Sequence, residues 1–171
     1  MHKVRKYSLR LTVILAMALT ALWQSCSEID YQLYHTSYCM MRFYNENGDS
    51  IAISDSLQIT AEGTDSVLVT YAQGYGRKTI SLPLSYSKNK DVFKFSFKNG
   101  SKVDEVSVTV THDNWLHFEN MDNQPCAYHM ITDIEVEPLD KQIRKASITK
   151  GEVTFDRTEN IHFEYEDINA D

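Results

Sequence analysis

The chain has 171 residues, 17 of them basic and 24 acidic, a formal net charge of −7 and three cysteines. An acidic surface repels phosphate backbones and anionic headgroups, which argues against a nucleic-acid partner and against membrane attachment through a basic helix. Apolar residues make up 42% of the sequence, enough for the core of one domain.

The first 25 residues read as a leader. Lys3, Arg5, Lys6 and Arg10 stand among residues 2–10 with no carboxylate, and Leu11 to Leu22 is then apolar apart from Thr12 and Thr20. That order is the one of a secretory signal, and the run falls short of the roughly 20 residues needed to span a bilayer permanently. Leu22-Trp23-Gln24-Ser25-Cys26 follows. It resembles the lipobox of bacterial lipoproteins, in which a small residue precedes the cysteine that receives diacylglycerol and becomes the new N-terminus. The resemblance implies lipidation of Cys26 and attachment to the membrane through acyl chains such as palmitate. It also implies an address in the bacterial cell envelope, at the outer membrane, facing the periplasm or the surface. The plainer alternative is an ordinary signal peptide cut beside a structural cysteine. Cysteine count separates the two: three thiols cannot all pair within one chain, whereas a lipidated Cys26 leaves Cys39 and Cys126 as an even set in an oxidising compartment. Without residues 1–25 the chain loses four basic and no acidic residues, and its formal charge becomes −11.

Residues 26–36 read as a lipidated tether, and residues 37–168 as a single domain without repeats or linkers. Period-two alternation dominates it. Cys39, Met41 and Phe43 point one way, and 45–49 (NENGD) supplies a turn. Leu57–Thr60 and Val67–Tyr71 are short strands around a turn at Gly63, and Gly74 and Gly76 break the chain again. Ile80, Leu82 and Leu84 share a face with Pro83 opposite, which predicts an edge strand because proline cannot donate to a ladder. Val92 to Lys98 alternates three phenylalanines with polar residues, Asn99-Gly100 signals a hairpin, and Val106, Val108 and Val110 form the inner face of the next strand. Asp113-Asn114-Trp115 reads as a three-residue hairpin loop before a strand from Trp115 to Glu119. Cys126 to Thr132 is apolar on both faces, as in a central strand, with Ile134 to Glu137 as its continuation; Pro138 to Lys145 is the one candidate helical turn; Asn160 to Glu166 closes the domain. Eight to ten short strands with frequent turns predict an all-β, antiparallel β-sandwich rather than a barrel, since strand lengths are uneven and edge positions are visible.

Chemistry is sparse. Cys39 and Cys126 are expected to form a structural disulfide across a long loop, worth about 4–5 kcal/mol in the chain-entropy view; a reactive thiol pair lacks a C-x-x-C arrangement. His112 and His117 fall on opposite faces and cannot share a metal, no zinc-type ligand spacing exists, and Asp122-Asn123-Gln124 reads as a turn rather than a calcium loop. No nucleophile motif is present, and His129 in an apolar strand reads as a core histidine. The sequence therefore predicts no catalytic residues, metal or cofactor. Tyr71, Tyr75, Tyr86 and Trp115 are the candidate contacts for a ligand, because tyrosine and tryptophan combine large area with a polar tip and suit sugar rings or a protein partner.

The whole pattern resembles small lipoproteins of the Bacteroidetes that carry a domain of unknown function. Cys39 before 41–44 (MRFY), 80–84 (ISLPL), the Cys126 strand, and Val153 with 159–161 (ENI) bear the resemblance. It implies compartment and domain and lends no catalytic residue. The expectation is a non-enzymatic binding or structural module recognising an envelope protein or glycan; the alternative is an envelope hydrolase or a ligand-carrying barrel, which needs convergent polar groups in a deep pocket. Growth with a labelled fatty acid should label the intact protein and not Cys26→Ser; label that survives the change removes the lipid anchor.

Overall fold

The computed structural model describes residues 36–64, 66–118, 125–139 and 141–166. The leader, Cys26, the tether up to residue 35, Glu119 and the Asp122-Asn123-Gln124 turn lie outside the described residues. Ten strands follow one another: β1 (Tyr38–Tyr44), β2 (Ser56–Ala61), β3 (Val67–Tyr71), β4 (Thr79–Pro83), β5 (Lys90–Asn99), β6 (Lys102–His117), β7 (Cys126–Glu137), β8 (Ile143–Ile148), β9 (Glu152–Val153) and β10 (Ile161–Tyr165). No helix occurs among the described residues. A four-stranded sheet runs β4-β1-β10-β8, and a six-stranded sheet runs β3-β2-β5-β6-β7-β9.

Alternation along each strand builds the core. Cys39, Met41 and Phe43 of β1, Ile80 and Leu82 of β4, and Ile161, Phe163 and Tyr165 of β10 are buried on the inner side of the smaller sheet. Phe93, Phe95 and Phe97 of β5 and Val106, Val108 and Val110 of β6 supply the larger sheet's inner side, and all join one hydrophobic cluster. Across the middle, the Phe95 ring meets Phe163 edge-on at 5.9 Å, and Phe97 meets Tyr165 at 5.7 Å. The β5–β6 hairpin turns through Gly100 and Ser101, with Gly100 at φ 58, the loop position where a II′ turn needs glycine. Pro83 does end an edge strand, β4.

Four expectations are corrected. The architecture is not wholly antiparallel, because β1 and β10 pair in parallel, Met41 opposite Ile161. These strands lie at the two ends of the domain and need no short connection between them, so parallel pairing carries no loop constraint. Asn160 seals the start of this pair. Its Oδ1 accepts from the Met40 amide at 3.0 Å, and its Nδ2 donates to the Lys150 and Glu152 carbonyls at 3.0 and 2.9 Å. Second, Asp113-Asn114-Trp115 is no hairpin: β6 continues to His117, and Asn114 pairs with His129 of β7. Third, Pro138 to Lys145 is no helical turn; β8 begins at Ile143, and its pattern escaped notice because Arg144 and Lys145 interrupt it. The two-residue β9 also carries too little pattern to be seen.

The fourth concerns the cysteines. Cys39 and Cys126 are both buried thiols and not the halves of a bridge. A parallel bridge joins Thr36 to Ala127, so Cys39 lies three residues beyond it and Cys126 one residue before it. Four residues of strand rise separate them by about 13 Å, beyond the roughly 7 Å between Cα atoms that a disulfide tolerates.

A bulge in β7 sets which of its side chains face inward. Thr111 pairs with Asp133, but His112 pairs with Ile131, so Thr132 is the extra residue. Ile134 and Val136 face inward on one side of it, and Ile131 and His129 on the other. Phe163 rests on Phe43 at 5.3 Å as well as on Phe95. Phe163→Ala should therefore cost about 3–5 kcal/mol, read as a lower urea midpoint at unchanged m-value; a loss below 1 kcal/mol refutes this placement of the core.

Candidate functional site

Near the β7 bulge, two of the inward side chains are histidines. His112 and His129 are fully buried, their rings edge-to-face at 5.2 Å. Asn114 lies between them, its Oδ1 2.7 Å from Nδ1 of each ring. The Asn114 Nδ2 donates to three carbonyls of the β4–β5 connection, Ser85 at 3.1 Å, Tyr86 at 3.0 Å and Lys88 at 2.6 Å. This fixes the amide's orientation, since a flipped group would set Oδ1 against three carbonyl oxygens. Both Nδ1 atoms are then donors. His112 Nε2 meets Asp91 Oδ2 at 3.1 Å, and a carboxylate only accepts. Both ring nitrogens of His112 thus face acceptors, and the ring is paired with Asp91.

His129 differs. With its proton on Nδ1, its buried Nε2 has no hydrogen-bond partner. Burial, followed by repulsion from His112 and offset in part by Asp91, pushes its pKa down to about 4. For Asp91, burial works upward but is outweighed by the His112 hydrogen bond, the Ser85 amide at 2.6 Å and the charges of His112 and Lys88, so its pKa is lowered. The network clamps residues 85–91 against β6 and β7.

The same backbone stretch carries aromatic rings on its other face. Trp115 and Tyr128 are cross-strand partners, edge-on at 6.1 Å. His117 stacks on Tyr128 at 4.5 Å, and Phe155, just past β9, meets Tyr128 edge-on at 5.4 Å. Phe155 also lines an open groove of about 500 Å³ with Thr36, Tyr38, Met40, Ser81, Thr154 and Arg157. Tyr38 and Met40 alternate with the buried face of β1 and so belong to the outer face of the smaller sheet. Further along that outer face Tyr44 and His162 stack at 3.9 Å, and Glu159 accepts from the Tyr44 hydroxyl at 2.5 Å.

The predicted aromatic contacts do not form one surface. Tyr71 and Tyr75 stack at 5.6 Å beside the Arg77 guanidinium, a cation–π arrangement on the β3 edge. That edge is three strand positions from Trp115 on β6. Tyr86 is 57% exposed in the β4–β5 connection and takes part through its carbonyl. Only Trp115 joins the larger ring cluster. Tyr128, Phe155 and Tyr38 were missed, although Tyr128 and Tyr38 carry the same amphipathic signal as the residues chosen. Cys39 is a core residue whose thiol pKa burial raises well above the ordinary range. Cys126 donates to the His117 carbonyl at 3.4 Å. Among the described residues no group of three or more His, Cys, Asp or Glu side chains is gathered to hold a metal.

Residues 56–165, more than half of the chain, match the sequence model of a family of unknown function, DUF6452. The match takes in the polar network, the Trp115–Tyr128–Phe155 rings and Arg157, and leaves out β1. No curated protein and no solved structure matches the chain.

The unfolded chain binds a proton at His129 near pH 6.5, and the folded chain only near pH 4. Stability should therefore fall as pH drops from about 6.5 to 4, by about 3 kcal/mol for this residue alone. Urea unfolding across that range should show the slope, and His129→Gln should flatten it; an unchanged slope in the variant refutes the neutral, buried ring.

Proposed function

The chain belongs to the family of unknown function DUF6452, and from that premise we propose that it is a lipid-anchored, non-enzymatic β-sandwich module of the cell envelope that binds a glycan. One observation carries the reading: the Trp115–Tyr128–Phe155 rings lead into the groove that Phe155 shares with Tyr38. Trp115, Phe155 and Tyr38 are 36%, 38% and 47% exposed, which leaves ring faces for a sugar to cover. Thr36, Ser81 and Thr154 supply hydroxyls along the same groove, the polar partners that a sugar ring needs beside an apolar face. Its volume falls in the range of small-ligand clefts, about 300–1,000 Å³.

A non-enzymatic role is preferred because the convergent polar groups, the part-buried Asp91 and Asn114 and the buried His112, are satisfied by one another rather than aimed into the groove. The anchor rests on the sequence around Cys26, and the two-layer packing on the contacts of Phe95 with Phe163 and Phe97 with Tyr165.

An array of envelope oligosaccharides, followed by titration against intrinsic tryptophan fluorescence, tests the reading. At least one oligosaccharide should bind the exported protein, and Trp115→Ala and Phe155→Ala should each weaken it about tenfold, the loss of one good aromatic contact. Binding that is indifferent to both changes, or capture of a protein partner on this face with no oligosaccharide bound, overturns it.

A further inference from the structure

The groove has an electrostatic character opposite to that of the chain. Of its described lining residues only Arg157 is charged, within a protein whose formal net charge is −7. Among the described residues no hydrogen bond or ion pair engages its guanidinium. The neighbouring carboxylates are already occupied. Asp156 is bonded to Lys150 and accepts from the Thr158 amide at 3.1 Å and hydroxyl at 2.9 Å. Those contacts, Lys150 first, hold its pKa down at about 2, so it remains an anion bound to its own partners. Glu159 takes the Tyr44 hydroxyl, with Arg42 at 3.7 Å and His162 at 3.6 Å. Local anions are thus committed elsewhere, and the one cation in the groove is not.

Arg157 also has φ 54, a left-handed conformation that glycine adopts without cost and arginine does not. The fold would be served at least as well by glycine here. The turn from Thr154 to Thr158, closed by the Asp156 contacts, holds the backbone in this shape and sets Arg157 in the groove that Phe155 and Tyr38 also line.

We propose that the groove takes an acidic sugar of the uronic acid class, its ring against Tyr38 and Phe155 and its carboxylate on Arg157. This rests on the glycan reading above and specifies its substrate class. A single guanidinium fork matches a carboxylate bidentately, whereas phosphate sites gather several cations or main-chain amides. The hydroxyls of Thr36, Ser81 and Thr154 suit a polyol better than an acidic peptide.

The test uses the exported protein with two probes, trigalacturonate and its methyl ester, which share ring and length but differ in charge. The free acid should bind at least tenfold more tightly than the ester at low salt, and the preference should shrink at 0.5 M salt, where the Debye length is only a few ångströms. Arg157→Gln should remove the preference by weakening the acid and not the ester. Arg157→Gly should do the same while its melting temperature is unchanged or higher, which separates binding from folding. If acid and ester bind alike, or Arg157→Gln weakens both equally, the carboxylate assignment is overturned and the glycan reading stands. If neither probe binds at millimolar concentration the uronic acid class is overturned, and if an acidic peptide binds in their place the glycan reading falls with it.

Discussion

One carboxamide holds together the part of this protein on which its functional geometry depends. Asn114 accepts from two histidines with its oxygen and donates to three carbonyls of a neighbouring connection with its nitrogen. Its orientation is dictated on both sides at once, which in turn dictates the proton positions on both rings. Buried polar groups are costly unless satisfied, and a network that satisfies nearly all of them specifies a single arrangement. Here the exception is one nitrogen, Nε2 of His129, and burial, followed by repulsion from His112, is why that ring resists a second proton.

The network also explains the length of β6. Asp113-Asn114 favours turns, because asparagine and aspartate side chains readily substitute for main-chain partners. In this fold the Asn114 side chain is engaged by His112, His129 and the 85–88 carbonyls, while the backbone keeps its ladder with β7. The Thr132 bulge completes the effect by placing His129 on the inner side and Tyr128 on the outer. Because successive side chains alternate across a strand, fixing Asn114 and His129 inside fixes Trp115 and Tyr128 outside. The Trp115 and Tyr128 rings are therefore mounted on strands rather than a loop.

A second asparagine, the buried Asn160, does comparable work where strands β1 and β10 meet. It joins β1, the β8–β9 connection and β10 through both side-chain atoms and its own main chain. The groove lies beside this junction, lined from β1, β4 and the turn after β9. Its ingredients are thus brought from positions 36 to 157 of the sequence. That explains its mixed character, in which rings, hydroxyls and a guanidinium without a partner among the described residues belong to a chain of net negative charge.

Much of the strand content was legible because alternation is a local signal. The phenylalanines of β5, the valines of β6, the inward residues of β1 and β10 and the edge position of Pro83 all follow from period two and from proline's missing donor. What escaped depends on distant partners. Whether Asp113-Asn114 turns or continues rests on carbonyls some 26 to 29 residues earlier. Whether Cys39 meets Cys126 rests on the register between Thr36 and Ala127. Which aromatics share a surface rests on strand order, which separated Tyr71 and Tyr75 from Trp115 and gave Trp115 the neighbours Tyr128 and Phe155. The sequence by itself determined an all-β domain and the inner faces of most strands. Only the tertiary structure decided the pairing of the chain's ends, the buried Asn–His network and the groove, because each joins residues whose proximity no local periodicity encodes.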